Sequence, residues 1–184
     1  MSTLKNPIAE QSRQWLIQSL LDLMDKKEYS EITVTEIAEH AQLSRRTFYR
    51  IFNSKEELLE QYFSAIFSEY VSCFDKSVCY SMEEIIKIFF TFCEKHIDFL
   101  KLLQKNHLLY DLLEQFNLIL PVIHDTVRGD RAIYQTALEK KIALLASAGA
   151  LWNILAEWIQ MKNRPAPEEI SRIILTAVER NKKG

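Results

Sequence analysis

Glycine occurs three times and proline four times in 184 residues. So few chain breakers disfavour a β-rich fold with many tight turns, and they leave almost nothing for a glycine-rich phosphate loop. Neither sign of charge prevails: 23 Lys and Arg stand against 25 Asp and Glu, a net −2. Bulk basicity is therefore excluded as a means of holding a polyanion, although a local basic face is not. Cysteine is sparse and odd in number (Cys73, Cys79, Cys93), which suits reduced thiols in a cytosol better than a disulfide framework. The N-terminal stretch, interrupted by Lys5, Glu10 and Arg13, does not resemble a signal peptide. The longest uncharged run, Ile142 to Ala156, has 15 residues, short of the roughly 20 that span a bilayer. These absences predict a cytoplasmic protein with no membrane segment.

What is abundant is apolar surface at helical spacing, 48% of the chain by composition. Ile8, Trp15, Leu16, Leu20, Leu23 and Met24 form one face of a first helix, with Asn6 and Pro7 as its cap and first position. Three segments open with a hydroxyl followed three residues later by Glu: Thr33 with Glu36, Ser54 with Glu57, and Ser81 with Glu84. Each pair can satisfy two orphan backbone donors at a helix start. Beyond Ser54 the spacing predicts helices over 54–76, 81–95, 97–105, 107–120, 130–162 and 167–181, broken at Asn106, Pro121, Gly129, Pro165 and Pro167. Arg128-Gly129-Asp130 reads as a loop ending in a helix cap. The fold class is all-α, with about nine helices.

Residues 33–53 hold two short helices joined by a tight connection at Gln42 and Leu43. Val34, Ile37, Ala38 and Ala41 form the stripe of one. Ser44 can cap the other, which carries Phe48, Tyr49 and Phe52. Phe48 and Phe52, four apart, can anchor the second helix on the first, leaving Arg45 and Arg46 outward. Two short helices with cations at the start of the second describe a helix-turn-helix. Arginine can fork onto guanine O6 and N7, and Thr47 offers a hydroxyl and a methyl. From His40 to Lys55 there are four cations and no carboxylate. A merely solvated basic face remains the alternative.

The stretch from Ile32-Thr33-Val34-Thr35-Glu36-Ile37-Ala38 through Ala41-Gln42-Leu43-Ser44 and Thr47-Phe48-Tyr49-Arg50-Ile51-Phe52-Asn53-Ser54-Lys55 to Leu58-Leu59 resembles the signature of the TetR (TetR/AcrR-like) bacterial transcription regulators. The specific similarity covers about residues 8–63. The resemblance implies a homodimer, with a helix-turn-helix DNA-binding domain over 1–53 and a helical effector-binding and dimerisation domain over 54–184. DNA contacts would come from Thr33, Thr35, Ser44, Arg45, Arg46, Thr47, Tyr49, Arg50 and Lys55. Of these, Thr33, Tyr49 and Lys55 would approach phosphates, and Arg45, Arg46 and Thr47 would face base edges. The chain departs from the family at Gln42, where a turn glycine is frequent, at Arg46, another frequent glycine, and at Ile51, a frequent histidine. Gln42 must accept a strained turn or shift it.

In the remainder, Leu138, Ile142, Leu145, Gly149, Trp152, Ala156 and Ile159 recur at spacings of three and four, while Leu144, Ala148, Leu151, Leu155 and Trp158 fill another face. A helix apolar nearly all round is buried on several sides. Helices at about 135–162 and 167–181, packed on their copies, would make a four-helix dimer interface, and an internal core helix is the alternative. Phe63, Phe67, Phe89, Phe92, Cys93, His96, Tyr110 and Trp152 are candidates to line an effector cavity, although aromatics at helical spacing also build plain cores. Cys93 and His96 alone are too few for a metal site, so neither metal nor cofactor is expected. No constellation of catalytic residues argues for an enzyme. The expected function is a repressor of a palindromic operator, released by a small apolar or amphipathic effector. The alternative is an activator whose C-terminal domain docks a protein; a closed core with an exposed apolar patch would favour it.

Overall fold

A computed structural model describes residues 7–75, 77–128 and 134–181. Among these residues the chain forms nine α-helices and no strand. In order they are α1 (Pro7–Met24), α2 (Val34–His40), α3 (Arg45–Ile51), α4 (Lys55–Ser72), α5 (Met82–Lys95), α6 (Ile97–Lys105), α7 (Leu109–Arg128), α8 (Ala137–Gln160) and α9 (Pro167–Asn181). A single 3-10 turn, Tyr29–Glu31, lies between α1 and α2. The Asn6 cap and the Gly129–Asp130 loop lie outside the described residues.

The helix starts follow local hydrogen bonding. Thr33 and Ser81 each accept the N–H of the glutamate three residues on, and that glutamate reaches back to the cap N–H, so both boxes close. The box expected at Ser54 forms by half. Ser54 Oγ accepts the Glu57 N–H at 3.1 Å, but the Glu57 carboxylate turns to Asn53, taking its backbone N–H at 2.7 Å and its side-chain amide at 2.6 Å. Asn53 offers two donors where Ser54 would offer one, and that decides the direction. A further cap, Thr136 with Glu139, opens α8 at Ala137, later than the expected 130.

Two helices end alike. After α2, Gln42 has φ 56°. The Leu43 N–H reaches the Ala38 carbonyl at 2.8 Å, and the Gln42 N–H reaches Glu39 at 3.0 Å. After α6, His107 has φ 59°. There the Leu108 N–H reaches Leu103 at 2.8 Å, and the His107 N–H reaches Gln104 at 3.2 Å. Both are Schellman closures, in which a left-handed residue lets the chain double back onto the orphan carbonyls. Glycine normally takes that position at no steric cost, and this chain places Gln and His there.

Pro121 does not end its helix as expected. α7 continues through it to Arg128. Proline removes one N–H from the ladder, yet Ile123 and Val127 beyond it are buried, and their packing holds the second half in helix.

The chain divides into two compact units, Met1–Ala65 and Ile66–Gly184. The division falls inside α4 because Leu58, Leu59 and Phe63 belong to the core of the first unit, and Arg13 of α1 donates to Gln61. In that core Leu16, Leu20, Met24, Ile37, Ala38 and Phe48 are fully buried. In the second unit α5 packs along α9, and α8 packs against α6 and α7. Phe90 and Trp158 are buried edge to face at 5.2 Å, and the Trp158 indole N–H donates to the Pro165 carbonyl at 2.9 Å. α8 has 24 residues and is long and apolar enough to cross a membrane. It exceeds the 15-residue uncharged run because its few charges sit near its ends. One side of it, Leu144, Ala148, Trp152, Leu155 and Trp158, is core. The other side leaves Leu138, Ile142 and Leu145 exposed.

Candidate nucleic-acid interface

The first unit aims a short cationic helix outward. Phe48 and Phe52, with ring centroids 5.8 Å apart and almost no exposure, fix α3 to the core. The Arg13 guanidinium lies over the Phe52 ring, 5.0 Å from its centre. At 100° per residue, burial of Phe48 turns Arg46 and Arg50 directly away from the core, and both are exposed. Arg45 is exposed on the flank, its guanidinium 6.0 Å from the centre of the half-exposed Tyr49 ring. Ser44 caps the helix, with its Oγ accepting the Thr47 N–H at 3.0 Å, and the Ser44 and Thr47 hydroxyls lie 2.9 Å apart. The Schellman closure at Gln42 sets where this helix starts, so Gln42 accepts the strained turn rather than shifting it.

Arg46 and Arg50 are like charges four residues apart, an arrangement that costs an isolated helix about 0.2–0.5 kcal/mol. Among the described residues neither is ion-paired to a carboxylate, so the positive field projects into solvent.

Three of the expected contact residues have other partners. The Lys55 ammonium donates to the carbonyls of Tyr29 at 2.7 Å, Ser30 at 3.3 Å and Ile32 at 2.8 Å, and it lies 4.5 Å from the Tyr29 ring centre. All three of its donors close the end of the 3-10 turn, and a phosphate would have to displace one. The Thr33 hydroxyl donates to Glu36 at 2.8 Å. Glu36 is in turn held by the Lys27 ammonium at 2.6 Å, and with the Thr33 bonds this pulls its carboxyl down to about 2. A phosphate at Thr33 would meet that carboxylate. The Thr47 hydroxyl is shared with Ser44. Thr35 stands half-buried in the first turn of α2.

A second candidate site lies wholly in the second unit, where α4, α5, α6, α7 and α8 enclose a cavity of about 30 Å³. That is room for one or two waters. Phe67, Phe89, Phe92, Cys93, His96 and Trp152 line it as expected. Phe63 and Tyr110 do not. Phe63 is core of the first unit, and Tyr110 is 66% exposed on α7. Tyr70 and Phe116, from the aromatic-rich stretch before α8, also line it, as do the aliphatic Ile66 and Leu112, which aromatic spacing does not single out. Tyr70 is legible in the sequence, since it stands four residues after Ile66 and three after Phe67, on one face of α4. Burial pushes the Tyr70 phenol and the Cys93 thiol up, so both stay neutral. His96 Nε2 lies 3.3 Å from Glu69, whose carboxyl is lowered first by its bond to Lys95 at 2.5 Å. Among the described residues no three His, Cys, Asp or Glu side chains are grouped to hold a metal ion.

Residues 16–62 match the family model for bacterial regulatory proteins of the tetR family. An HTH-type dhaKLM operon transcriptional activator, DhaS, of Lactococcus lactis subsp. lactis (strain IL1403) is 27% identical over 147 residues, 78% of this chain and 77% of its own. Two solved structures share the fold. A dihydroxyacetone kinase operon activator DhaS superposes with TM-score 0.58 at 22% identity, covering 94% of this chain and 96% of its own. A TetR transcriptional regulator from Streptococcus agalactiae 2603V does so with TM-score 0.67 at 18% identity, covering 95% and 97%. Residues 16–62, with their outward cationic helix, thus form the helix-turn-helix region of the bacterial regulatory proteins of the tetR family, and over most of its length the chain is similar to DhaS and shares the fold of a TetR transcriptional regulator.

Proposed function

We propose that the protein works as a homodimer on a two-fold operator, with residues 1–53 reading DNA and residues 54–184 pairing the subunits and receiving the regulatory signal. One observation carries the reading: Arg46 and Arg50 face outward from α3, without a carboxylate partner among the described residues and at a cost to the helix. A polyanion supplies the missing counter-charge. Arg45, Arg46 and Thr47 then stand at base edges, Arg50 and Tyr49 beside them, and the helix N-termini near Ser44 and Thr35 against the backbone. Pairing through α8 and α9 would bury Leu138, Ile142 and Leu145 with Ile173 and Val178, all at least 39% exposed in the single chain. It would present the two α3 helices to successive major grooves, about 34–36 Å apart. Replacing Arg45 or Arg46 by Ala should weaken operator binding about 10- to 100-fold per half-site, the size of one lost bidentate base contact, with the dimer intact. Unchanged affinity of both variants at matched salt would sink the assignment.

For the regulatory signal, the cavity supports the activator version over the effector-released repressor. Small-molecule sites have volumes of about 300–1,000 Å³, and the cavity here, about 30 Å³, is filled by its own aromatics. Tyr110, Leu118 and Val122 lie on one face of α7 at multiples of four and are 60% exposed or more, a patch suited to a protein partner. The curated relative is itself named an activator. In a purified transcription assay, adding the protein to an operator-bearing promoter together with its partner should raise transcript yield. Repression by the protein alone, relieved by a small molecule, would favour the other version.

A further inference from the structure

We propose that Thr47 reads the methyl group of one thymine in each operator half-site. The inference rests on α3 being the DNA-reading helix and adds which chemical feature it selects. A threonine at a groove can offer a hydroxyl, which accepts and donates to any base edge, or a methyl, which matches only thymine's C5-methyl. Here the hydroxyl is engaged. Thr47 Oγ1 lies 2.9 Å from Ser44 Oγ, and the same Ser44 oxygen accepts the Thr47 backbone N–H at 3.0 Å. The two contacts form a closed ring at the helix start. They hold the Thr47 side chain in one rotamer with its oxygen turned back toward the cap, which sets the methyl at another staggered position on Cβ, away from Ser44. Thr47 is half-exposed, next to the outward Arg46 and one turn before the outward Arg50. An apolar group in that position is desolvated when the arginines engage the groove, and thymine is the base that offers it an apolar partner.

The test begins by selecting bound duplexes from a random pool with the full-length protein, then replacing each thymine of the selected half-site by deoxyuridine, which removes the methyl and keeps the pairing. One position should weaken the parent about fourfold per half-site and about fifteenfold when both half-sites are changed, the size of one buried methyl each. Thr47→Ser, which keeps the hydroxyl and its bond to Ser44, should bind the thymine and deoxyuridine operators equally. Thr47→Val, which keeps a methyl, should still discriminate. A selected operator on which no deoxyuridine weakens the parent, or discrimination that survives in Thr47→Ser, overturns the proposal while leaving DNA recognition by α3 standing. If no duplex is enriched at all, DNA recognition and the methyl reading fall together.

Discussion

Replacing Gln42 by Gly should stabilise the protein. Gln42 is exposed, and its φ of 56° holds an L-residue where Cβ crowds the following carbonyl. That crowding costs about 1–2 kcal/mol. Glycine removes the cost and adds freedom to the unfolded chain, worth about 0.4–1 kcal/mol in the opposite direction. The difference leaves a net gain of about 0.5–1 kcal/mol. Both bonds of the closure are backbone to backbone, Leu43 to Ala38 and Gln42 to Glu39, so the substitution keeps them. Urea unfolding followed by helix circular dichroism reads the change as a higher midpoint at unchanged slope. Gln42→Ala is the control, because it shortens the side chain without relieving the Cβ contact and should stay within about 0.5 kcal/mol of the parent. Operator affinity should not fall, since the turn geometry is unaltered. A Gly variant no more stable than the Ala variant would refute the claim that the turn is strained. His107→Gly poses the same question at the end of α6 and should answer alike.

Lys55→Met should lower stability by about 1–3 kcal/mol, by removing charge-assisted bonds to three carbonyls, while leaving the salt dependence of DNA binding unchanged. A salt slope reduced by about 0.9 per subunit would restore Lys55 as a phosphate contact. Glu36 should govern part of the acid unfolding. Its folded carboxyl lies near 2, below the ordinary 4.5, so the stability it adds is present above 4.5 and is lost as the pH falls toward 2. Glu36→Gln should flatten the stability curve across that window, and an unchanged slope there contradicts the Lys27 clasp. Ile142→Arg, on the exposed side of α8, should shift the protein toward monomer in light-scattering chromatography with helix content retained. A dimer of undiminished affinity would place the pairing surface elsewhere.

What was legible in the sequence was local. The caps at Thr33 and Ser81 need only residues three apart, and the burial of Phe48 follows from one apolar stripe, so both could be read directly. Competition between neighbours could not. Glu57 chose Asn53 because two donors converge there, a geometric fact with no signature in spacing. Pro121 reads as a stop by its own chemistry and is overruled by the burial of residues beyond it. Lys55 reads as a free cation until the turn at Tyr29–Glu31 presents its carbonyls. Of the cavity, the α5 face was legible from Phe89, Phe92 and Cys93, with His96 just past its end, because one helix and its cap supply it. Tyr110 was misplaced because it sits just inside the start of α7, where the phase of the helix could not be read from spacing alone.

The oily side of α8 bears on how the gene switch responds to supply. If two chains must meet to cover Leu138, Ile142 and Leu145, then at low copy number the occupied operator grows with the square of the amount synthesised, and halving expression removes about three quarters of the signal by mass action. A modest change in translation is thereby sharpened into a larger change in gene output, before any inducer or partner protein is involved.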